Sequence, residues 1–367
     1  MKIVIAPDSF KGSASSQDIS IWIKKGLQSE ISQCDCVLIP IGDGGEGSLD
    51  AVVPSGFQVH QINVTGPINK TVQAKFGIRG KTAFIELAQA SGLNHVLDKK
   101  FEPLSATSFG TGEVIKAALD LGVEEIILAV GGSACTDAGA GALQALGAHL
   151  LDSQGREIPL GGGSLQLCTT IDLSNLDPRI AKTKFIVASD VTNPLIGPHG
   201  AARIYAPQKG ASAMDVKLLE EGITHFSSIS GSAHINSAGA GAAGGFGFMA
   251  LTYLNATVMS GIRVILELIN FESAIRDADL IITGEGKFDS QSLFGKAPMG
   301  ILEIARKHSV PVALICGQTT LNSSDETYKS FHSISTLQSI EPDLKICVDH
   351  PGPIIEKISA SIAKSIA

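Results

Sequence analysis

The sequence lacks the features that would point to a membrane, a disulfide scaffold or a nucleic-acid partner. No apolar run approaches the roughly 18 residues of a membrane-spanning helix, and the apolar run after Lys2 is too short for a signal-peptide core. The six cysteines are scattered, and the one close pair, Cys34 and Cys36, has the wrong spacing for a metal site. No Lys or Arg run is interleaved with aromatic residues, and the net charge is −8. We therefore expect a cytoplasmic protein with reduced, buried thiols.

Length and the order of elements predict the fold class. A chain of 367 residues is longer than one hydrophobic core usually grows, so we expect two domains. Residues 1–60 and the last hundred residues alternate strand and helix, which is typical of a parallel sheet with helices on both faces. Residues 57–90 instead carry short alternating segments that favour an antiparallel meander. The prediction is an α/β protein in which a Rossmann-like domain, 1–60 and 262–367, receives an inserted α/β domain, 61–261, with the active site in the cleft between them.

The stretch "GDGGEGS" has the Gly-x-Gly-x-x-Gly spacing of a dinucleotide loop but not its chemistry. Asp43 and Glu46 fill two of the gaps, and their charge would repel a pyrophosphate. The acidic residue that should follow about 20 positions later is missing, because residues 51–85 contain no Asp or Glu. We interpret the glycines as a tight turn and the two carboxylates as ligands of a cation or a hydroxyl. No Walker A sequence occurs, which excludes a P-loop NTPase.

Six polar clusters follow predicted strands or begin helices, where an α/β protein builds its site. Nearly every one combines glycine with a carboxylate or a lysine, the combination that holds Mg²⁺ and a transferring phosphoryl group. Lys11, Lys287 and Lys296 each lie in such a loop, and Lys acts as a point charge on phosphate oxygens. Lys209, in "APQKGA", is either a fourth phosphate contact or part of a plain turn.

Two glycine-rich stretches are candidates for binding phosphate through backbone N–H groups. "GGSA", at Gly131, Gly132 and Ser133, follows the predicted strand "IILAV". A second Gly-x-Gly-x-x-Gly includes Gly241 and Gly244 but follows no predicted strand. It is either a close-packed glycine patch or the N-terminus of a phosphate-binding helix.

Taken in order, the clusters resemble those of the bacterial glycerate kinase family that serves glycerate, glucarate and glyoxylate catabolism. The matching stretches span the whole chain and are "APDSFKGS", "GDGGEGS", "FGTGEVI", "GGSACTDAGAG", "DVTNPLIGPHGAA", "APQKGA", "GAGAAGGFG" and "TGEGKFDSQSLFGKAP". The resemblance implies ATP- and Mg²⁺-dependent phosphorylation of D-glycerate, on the 2-hydroxyl, by a two-domain protein. Asp137 and Asp190 agree with the family pattern. The positions that depart from it are Cys135, Thr136, Ala138, Ser189 and Lys287.

Phosphoryl transfer requires neutralised phosphate charge, aligned oxygens and removal of the acceptor proton. Three lysines are assigned to neutralise phosphate or the glycerate carboxylate, namely Lys11, Lys287 and Lys296. Asp190 is the expected base, with Asp289 second. Three carboxylates are assigned to Mg²⁺, namely Asp43, Glu46 and Glu285. The assigned cofactor-binding residues are Gly131, Gly132, Ser133, Asp137, Gly241 and Gly244.

Two other functions are open at this point. One is an NAD(P)-dependent oxidoreductase of a small hydroxy acid, against which the missing ribose-binding carboxylate counts. The other is a sugar-acid-binding regulator, for which the sequence shows neither a helix-turn-helix nor a basic face. The expected partners are D-glycerate and ATP, without nucleic acid or membrane, in a monomer or homodimer.

Overall fold

The protein is described here by a computed structural model that covers residues 1–42, 45, 47–96, 100–290, 292–294, 296–322 and 324–366. The chain divides into two compact units. The terminal unit comprises Met1–Asp43, Asp50–Ser55 and Ile262–Ala367, and the central unit comprises Gly44–Leu49 and Gly56–Gly261. Strands and helices are numbered below in their order along the chain.

The terminal unit contains a five-stranded sheet, and every neighbouring pair in it is parallel. Its strands are β1 (Lys2–Pro7), β2 (Asp35–Leu38), β11 (Leu280–Phe288), β12 (Val312–Thr319) and β13 (Ser333–Thr336). They lie in the order β13-β12-β11-β1-β2, so both β1 and β11 are central. The carboxyl ends of parallel strands meet at one edge, which is where such sheets bind ligands.

Alternate residues of these strands face opposite layers of helices, as the strand period of two requires. Ile3 and Ile5 pack with one helix layer, whereas Val4 and Ala6 pack with the other. The helices of the terminal unit are α1 (Ser16–Glu30), α10 (Phe271–Ile275), α11 (Ala297–Lys307), α12 (Glu326–Lys329), α13 (Leu344–Asp349) and α14 (Pro351–Ile366). Two more, α2 (Ser48–Val52) and α9 (Gly261–Leu268), lie where the chain passes from one unit to the other.

The central unit contains a mixed six-stranded sheet. Its strands are β3 (Gln58–Thr65), β4 (Thr71–Arg79), β5 (Thr82–Glu86), β6 (Glu125–Ala129), β9 (Lys184–Ala188) and β10 (Thr257–Met259). They lie in the order β10-β9-β6-β5-β4-β3, and β3, β4 and β5 pair antiparallel, which confirms the predicted meander. A separate antiparallel pair joins β7 (His149–Leu151) to β8 (Thr170–Asp172).

Residues 58–60 correct one boundary of the sequence-based division. They were placed in the Rossmann-like domain, but they lie in β3, which is paired along its length with β4. The helices of the central unit are α3 (Ala88–Ser91), α4 (Phe109–Asp120), α5 (Ala140–Ala145), α6 (Ala201–Tyr205), α7 (Ala213–Ser230) and α8 (Ala242–Tyr253). They enclose a single apolar core that includes Phe226, Phe246 and Phe248.

The α/β class and the parallel sheets are confirmed. Within the described part of the chain, no helix combines the length and the apolar composition that crossing a bilayer requires. That residues of both units form one active site stays a prediction.

Candidate active site

The terminal unit contains a cavity of about 330 Å³ at the carboxyl ends of its central strands. Residues that follow β1, end β11 and end β12 reach it because parallel strands terminate on the same edge of the sheet. Its polar lining residues are Asp8, Ser9, Lys11, Ser13, Glu285, Lys287, Lys296 and Gln318. Its apolar lining residues include Phe10, Leu337, Leu344, Cys347 and Val348. Four residues that the sequence analysis singled out therefore share this cavity, namely Lys11, Glu285, Lys287 and Lys296.

Lys296 lies at the start of α11. It is the N-cap residue, Pro298 occupies the first turn, and the Lys296 ammonium lies 3.8 Å from the carboxylate of Glu285. The Glu285 side chain is 7% exposed and that of Lys296 is 33% exposed. The N-terminus of a helix already carries partial positive charge, so a lysine there strengthens its attraction for anions. This corner of the cavity can receive an anionic ligand.

Lys287 and Asp289 form a second ion pair beside the first. The Lys287 Nζ lies 3.0 Å from Asp289 Oδ2, with the lysine side chain half exposed and the carboxylate largely buried. The backbone N–H of Asp289 donates to the hydroxyl of Ser292, which in turn donates to the carbonyl of Lys287. The turn is therefore held by its own hydrogen bonds, and the Asp289 carboxylate is engaged by the adjacent lysine.

Asp8 is a site residue that the sequence analysis did not assign. It is 7% exposed, directly follows β1, and accepts a hydrogen bond of 2.7 Å from the N–H of Ser9. Its position could have been inferred, since it is the first polar residue after the first strand, at the ligand-binding edge. Lys11 follows in an exposed turn that Phe10 closes through backbone hydrogen bonds with Ala14.

In the central unit, Asp190 is partly buried just beyond the end of β9. The strand ends at Ala188, two residues before Asp190. Asp190 Oδ1 accepts a hydrogen bond from the N–H of Gly261, at 3.0 Å. The carboxylate is thus held in place by the residue that begins α9.

The loop after β6 carries Gly131, Gly132 and Ser133 and is supported from inside by Lys209. The Lys209 Nζ donates to Ser133 Oγ at 2.8 Å and to the carbonyl of Cys135 at 2.6 Å. Lys209 is 3% exposed, and burial lowers the pKa of its ammonium. Lys209 therefore lies in a 3₁₀ turn, Pro207–Lys209, as one of the two interpretations had it, and its buried ammonium supports the loop of Ser133.

Asp137 has a structural position that corrects its assignment to cofactor binding. It is 0% exposed, and one oxygen accepts from the N–H and the hydroxyl of Ser108, at 2.7 and 2.8 Å. Its carboxylate also accepts from the N–H groups of Gly139 and Gly141, at 3.1 and 3.3 Å. A fully buried carboxylate whose oxygens are occupied in this way cannot contact a nucleotide. It joins the start of α4 to that of α5.

Gly241 and Gly244 are explained by packing, which was one of the two interpretations left open. A Cβ on Gly241 would lie 2.3 Å from the carbonyl of Pro194, and one on Gly244 would lie 2.2 Å from that of Cys135. Gly244 also has φ of 69° inside α8, so a regular helical N-terminus is absent at this point. These glycines are buried against backbone, which supports the packing interpretation, and their assignment to phosphate stays a prediction.

Magnesium has partial support from the described residues. Among them, no cluster of three or more His, Cys, Asp or Glu has the geometry of a metal site. Mg²⁺ at kinase sites, however, usually takes one or two carboxylates and completes its shell with water and phosphate. Asp8 and Glu285 both line the cavity and could supply these one or two carboxylates. Asp43 and Glu46 lie outside the described residues.

Comparisons with known proteins cover the whole chain. A family model described as the glycerate kinase family matches residues 3–367. A glycerate kinase of Bacillus subtilis (strain 168) is 45% identical, over 100% of this chain and 98% of its own. A glycerate 2-kinase of Escherichia coli (strain K12) is 46% identical, over 87% and 86% of the two chains. A crystal structure of a candidate glycerate kinase 2 from Salmonella typhimurium LT2 superposes with a TM-score of 0.84 and 38% identity, covering 100% of this chain and 98% of that one.

Proposed function

The chain belongs to the glycerate kinase family, and we propose that it transfers the γ-phosphoryl group of ATP to the 2-hydroxyl of D-glycerate, giving 2-phosphoglycerate. The 2-position is favoured by similarity to the enzyme named glycerate 2-kinase. The two other candidate functions, a hydroxy-acid oxidoreductase and a sugar-acid-binding regulator, have no support in these similarities.

The observation that carries the mechanism is the grouping of three lysines around one cavity. Phosphoryl transfer depends on positioning and on neutralising the charge of the moving group, and little covalent work falls to the protein. Lys11, Lys287 and Lys296 line the cavity at the carboxyl edge of the sheet. We assign them to the phosphate oxygens of ATP or to the carboxylate of glycerate.

Glu285 and Asp8 would hold Mg²⁺, directly or through water, with Asp43 and Glu46 as further candidates from the sequence. Bound Mg²⁺ neutralises charge between the phosphates of ATP. The buried position of Glu285 next to Lys296 places a carboxylate and an ammonium side by side. This pairing suits a site that must bind a cation and an anion together.

Asp190 is the proposed base for the 2-hydroxyl proton. The hydrogen bond from Gly261 fixes one carboxylate oxygen, which is the kind of orientation that general base catalysis needs. Asp289 is the weaker candidate, because its carboxylate is engaged by Lys287 at 3.0 Å. The loop of Gly131, Gly132 and Ser133 is proposed to donate hydrogen bonds to phosphate, with Lys209 holding the Ser133 hydroxyl.

The direct test is turnover with defined substrates. The protein is incubated with ATP, Mg²⁺ and a panel of small hydroxy acids, and ADP is followed. We expect ADP formation that requires both D-glycerate and Mg²⁺. Failure to form ADP with glycerate, in a folded preparation, would reject the proposal.

Phosphorus NMR of the product tests the position. A phosphate on C2 couples to a single carbon-bound proton, whereas one on C3 couples to two. We expect the first pattern, and the second would keep the kinase but move its acceptor to the 3-hydroxyl.

A further inference from the structure

The cavity in the terminal unit has an apolar wall that the chemistry of glycerate does not use. Leu344 and Val348 are four residues apart in α13, so they lie on the same face of this helix. Both line the cavity while remaining 47% and 40% exposed. Behind them, Leu337 and Cys347 are almost fully buried. The wall therefore combines two buried apolar side chains with an accessible rim formed by Leu344 and Val348.

Glycerate is a poor ligand for such a wall. It carries a carboxylate and two hydroxyl groups on three carbons, so every part of it prefers contact with polar residues of the cavity. The volume of about 330 Å³ also lies within the range of roughly 300–1,000 Å³ typical of sites for larger small molecules. The ligand that fits has a flat, weakly polar part joined to an anionic part.

We propose that the apolar wall formed by Leu337, Leu344, Cys347 and Val348 binds the purine base of ATP, with the phosphates extending toward Lys11, Lys287 and Lys296. This inference rests on the proposed kinase function and adds the location of the nucleotide base. It makes the terminal unit the nucleotide-binding part of the protein.

Gln318 lines the same cavity and offers a polar contact suited to a purine. Its side chain is partly buried, and its carboxamide makes no hydrogen bond with any residue in the described part of the chain. A carboxamide offers a donor and an acceptor side by side, which matches the hydrogen-bonding edge of a purine. Gln318 is the register partner of Lys287 on the neighbouring strand, so the two side chains leave the same face of the sheet.

The apolar wall and the lysine-bearing loop are joined to each other. The hydroxyl of Ser13, two residues after Lys11, donates a hydrogen bond of 2.6 Å to the carbonyl of Val348. This contact fixes the spacing between the end of α13 and the turn that carries Lys11. A nucleotide needs such a fixed spacing, because its base and its phosphates are held a set distance apart by the ribose.

The main test compares a double variant with a matched control. Leu344→Ser with Val348→Ser removes the accessible rim of the wall, and both residues are exposed enough for the fold to tolerate serine. Ile346→Ser is the control, since Ile346 lies in the same helix, is 42% exposed, and does not line the cavity. Binding of ADP and of inorganic tripolyphosphate is measured by titration calorimetry, and KM by turnover.

We expect the double variant to weaken ADP binding and to raise the KM of ATP by about tenfold or more, because two apolar side chains are withdrawn from the base. Tripolyphosphate affinity and the KM of glycerate should stay at wild-type values, since neither ligand has a base. The Ile346→Ser protein should match the wild type throughout. Equal ADP affinity in all three proteins, or an equal loss for tripolyphosphate, would overturn the inference.

Photolabelling provides a second and independent measurement. Irradiation with 8-azido-ATP should attach the label within residues 337–348, and excess ATP should prevent it. Attachment within residues 131–139 would place the base in the central unit and overturn the inference.

The two proposals can fail separately. Wild-type turnover with glycerate decides the kinase function, whatever the variants do. If turnover is present but ADP affinity is unaffected in the double variant, the kinase stands and the base site is wrong. If turnover is absent but the double variant alone loses ADP affinity, the nucleotide site stands and the acceptor is wrong.

Discussion

The carboxylate of Asp190 accepts a hydrogen bond from the backbone N–H of Gly261, 71 residues further along the chain, at 3.0 Å. This contact orients one carboxylate oxygen and at the same time satisfies an N–H group at the start of α9. Asp190 therefore has both a structural role that the structure describes and the catalytic role that we propose for it. Two substitutions separate these roles.

Asp190→Asn keeps an oxygen that can accept from Gly261 but cannot take a proton. If Asp190 is the base, kcat should fall by about 10²- to 10⁴-fold while the KM of ATP and the melting temperature change little. Asp190→Ala should lose activity and also lower the melting temperature, because the N–H of Gly261 loses its acceptor. Near-normal kcat in the Asn variant would leave Asp190 with the structural role alone. Recovery of activity at high Mg²⁺ would indicate a metal ligand.

Lys296→Ala tests the cationic corner of the cavity. The substitution removes the ammonium at the start of α11 but leaves Pro298 and the helix unchanged, so folding should be normal. A charge-assisted contact with an anion is worth about 1.5–3 kcal/mol, so the KM of ATP or glycerate should rise by about tenfold or more. Lys307→Ala, at the other end of the same helix, is the matched control and should leave both KM values unchanged. Identical kinetics in the two variants would leave Lys296 as a solvated residue at the start of α11, without a role in ligand binding.

Glu285→Gln tests magnesium binding at the cavity. If Glu285 holds Mg²⁺ directly or through water, the Mg²⁺ concentration for half-maximal activity should rise by about 10- to 100-fold, and saturating Mg²⁺ should restore part of kcat. Glu303→Gln, in the exposed ion pair with Arg263, is the control. A reduced kcat with unchanged Mg²⁺ dependence would mean that Glu285 acts by positioning Lys296, from which it lies 3.8 Å.

Lys209→Met tests the buried ammonium beneath the loop of Ser133. Burial lowers the pKa of Lys209 in the folded protein, so between that lowered pKa and the ordinary lysine value of 10.5 the unfolded chain binds a proton that the folded chain has released. The free energy of unfolding of the wild type should therefore rise with pH in that range, relative to the Met variant. Urea denaturation at several pH values measures the difference. Lys182→Met, at an exposed lysine, should follow the wild type, and a pH-independent difference for Lys209→Met would contradict the assigned cause.

Short-range features of this protein follow from its sequence. The start of α11 was predictable because Pro298 suits the first turn of a helix, and this preference depends only on the local backbone. The antiparallel pairing of β3, β4 and β5 was likewise predictable, since alternating side chains and short polar turns act between neighbours in sequence. Lys11, Lys287 and Glu285 could be placed at a ligand-binding edge because each follows or lies near the end of a strand of a parallel sheet, and Lys296 because it begins a helix.

Local sequence does not show where a side chain meets a partner far away along the chain. "APQKGA" was open between a phosphate contact and a plain turn, and only the fold shows that the Lys209 ammonium is buried against Ser133, 76 residues away. In the sequence Asp137 has the character of a ligand-binding carboxylate, and only the structure shows that the N–H groups of Ser108, Gly139 and Gly141 donate to it. Nothing local to Gly244 shows that the carbonyl of Cys135 approaches it closely.

The sequence by itself determined the α/β class, most of the strands and helices, and the charged residues that reach the carboxyl edge of the terminal sheet. These depend on periodicity, turn chemistry and the rule that parallel strands end together. Only the tertiary structure decided which polar residues are buried supports and which face the cavity, and it alone brought Leu344 and Val348 to the same cavity as Lys287 and Lys296. The physical reason is that burial and hydrogen-bond partners are properties of the packed chain, set by contacts between segments that are distant in sequence.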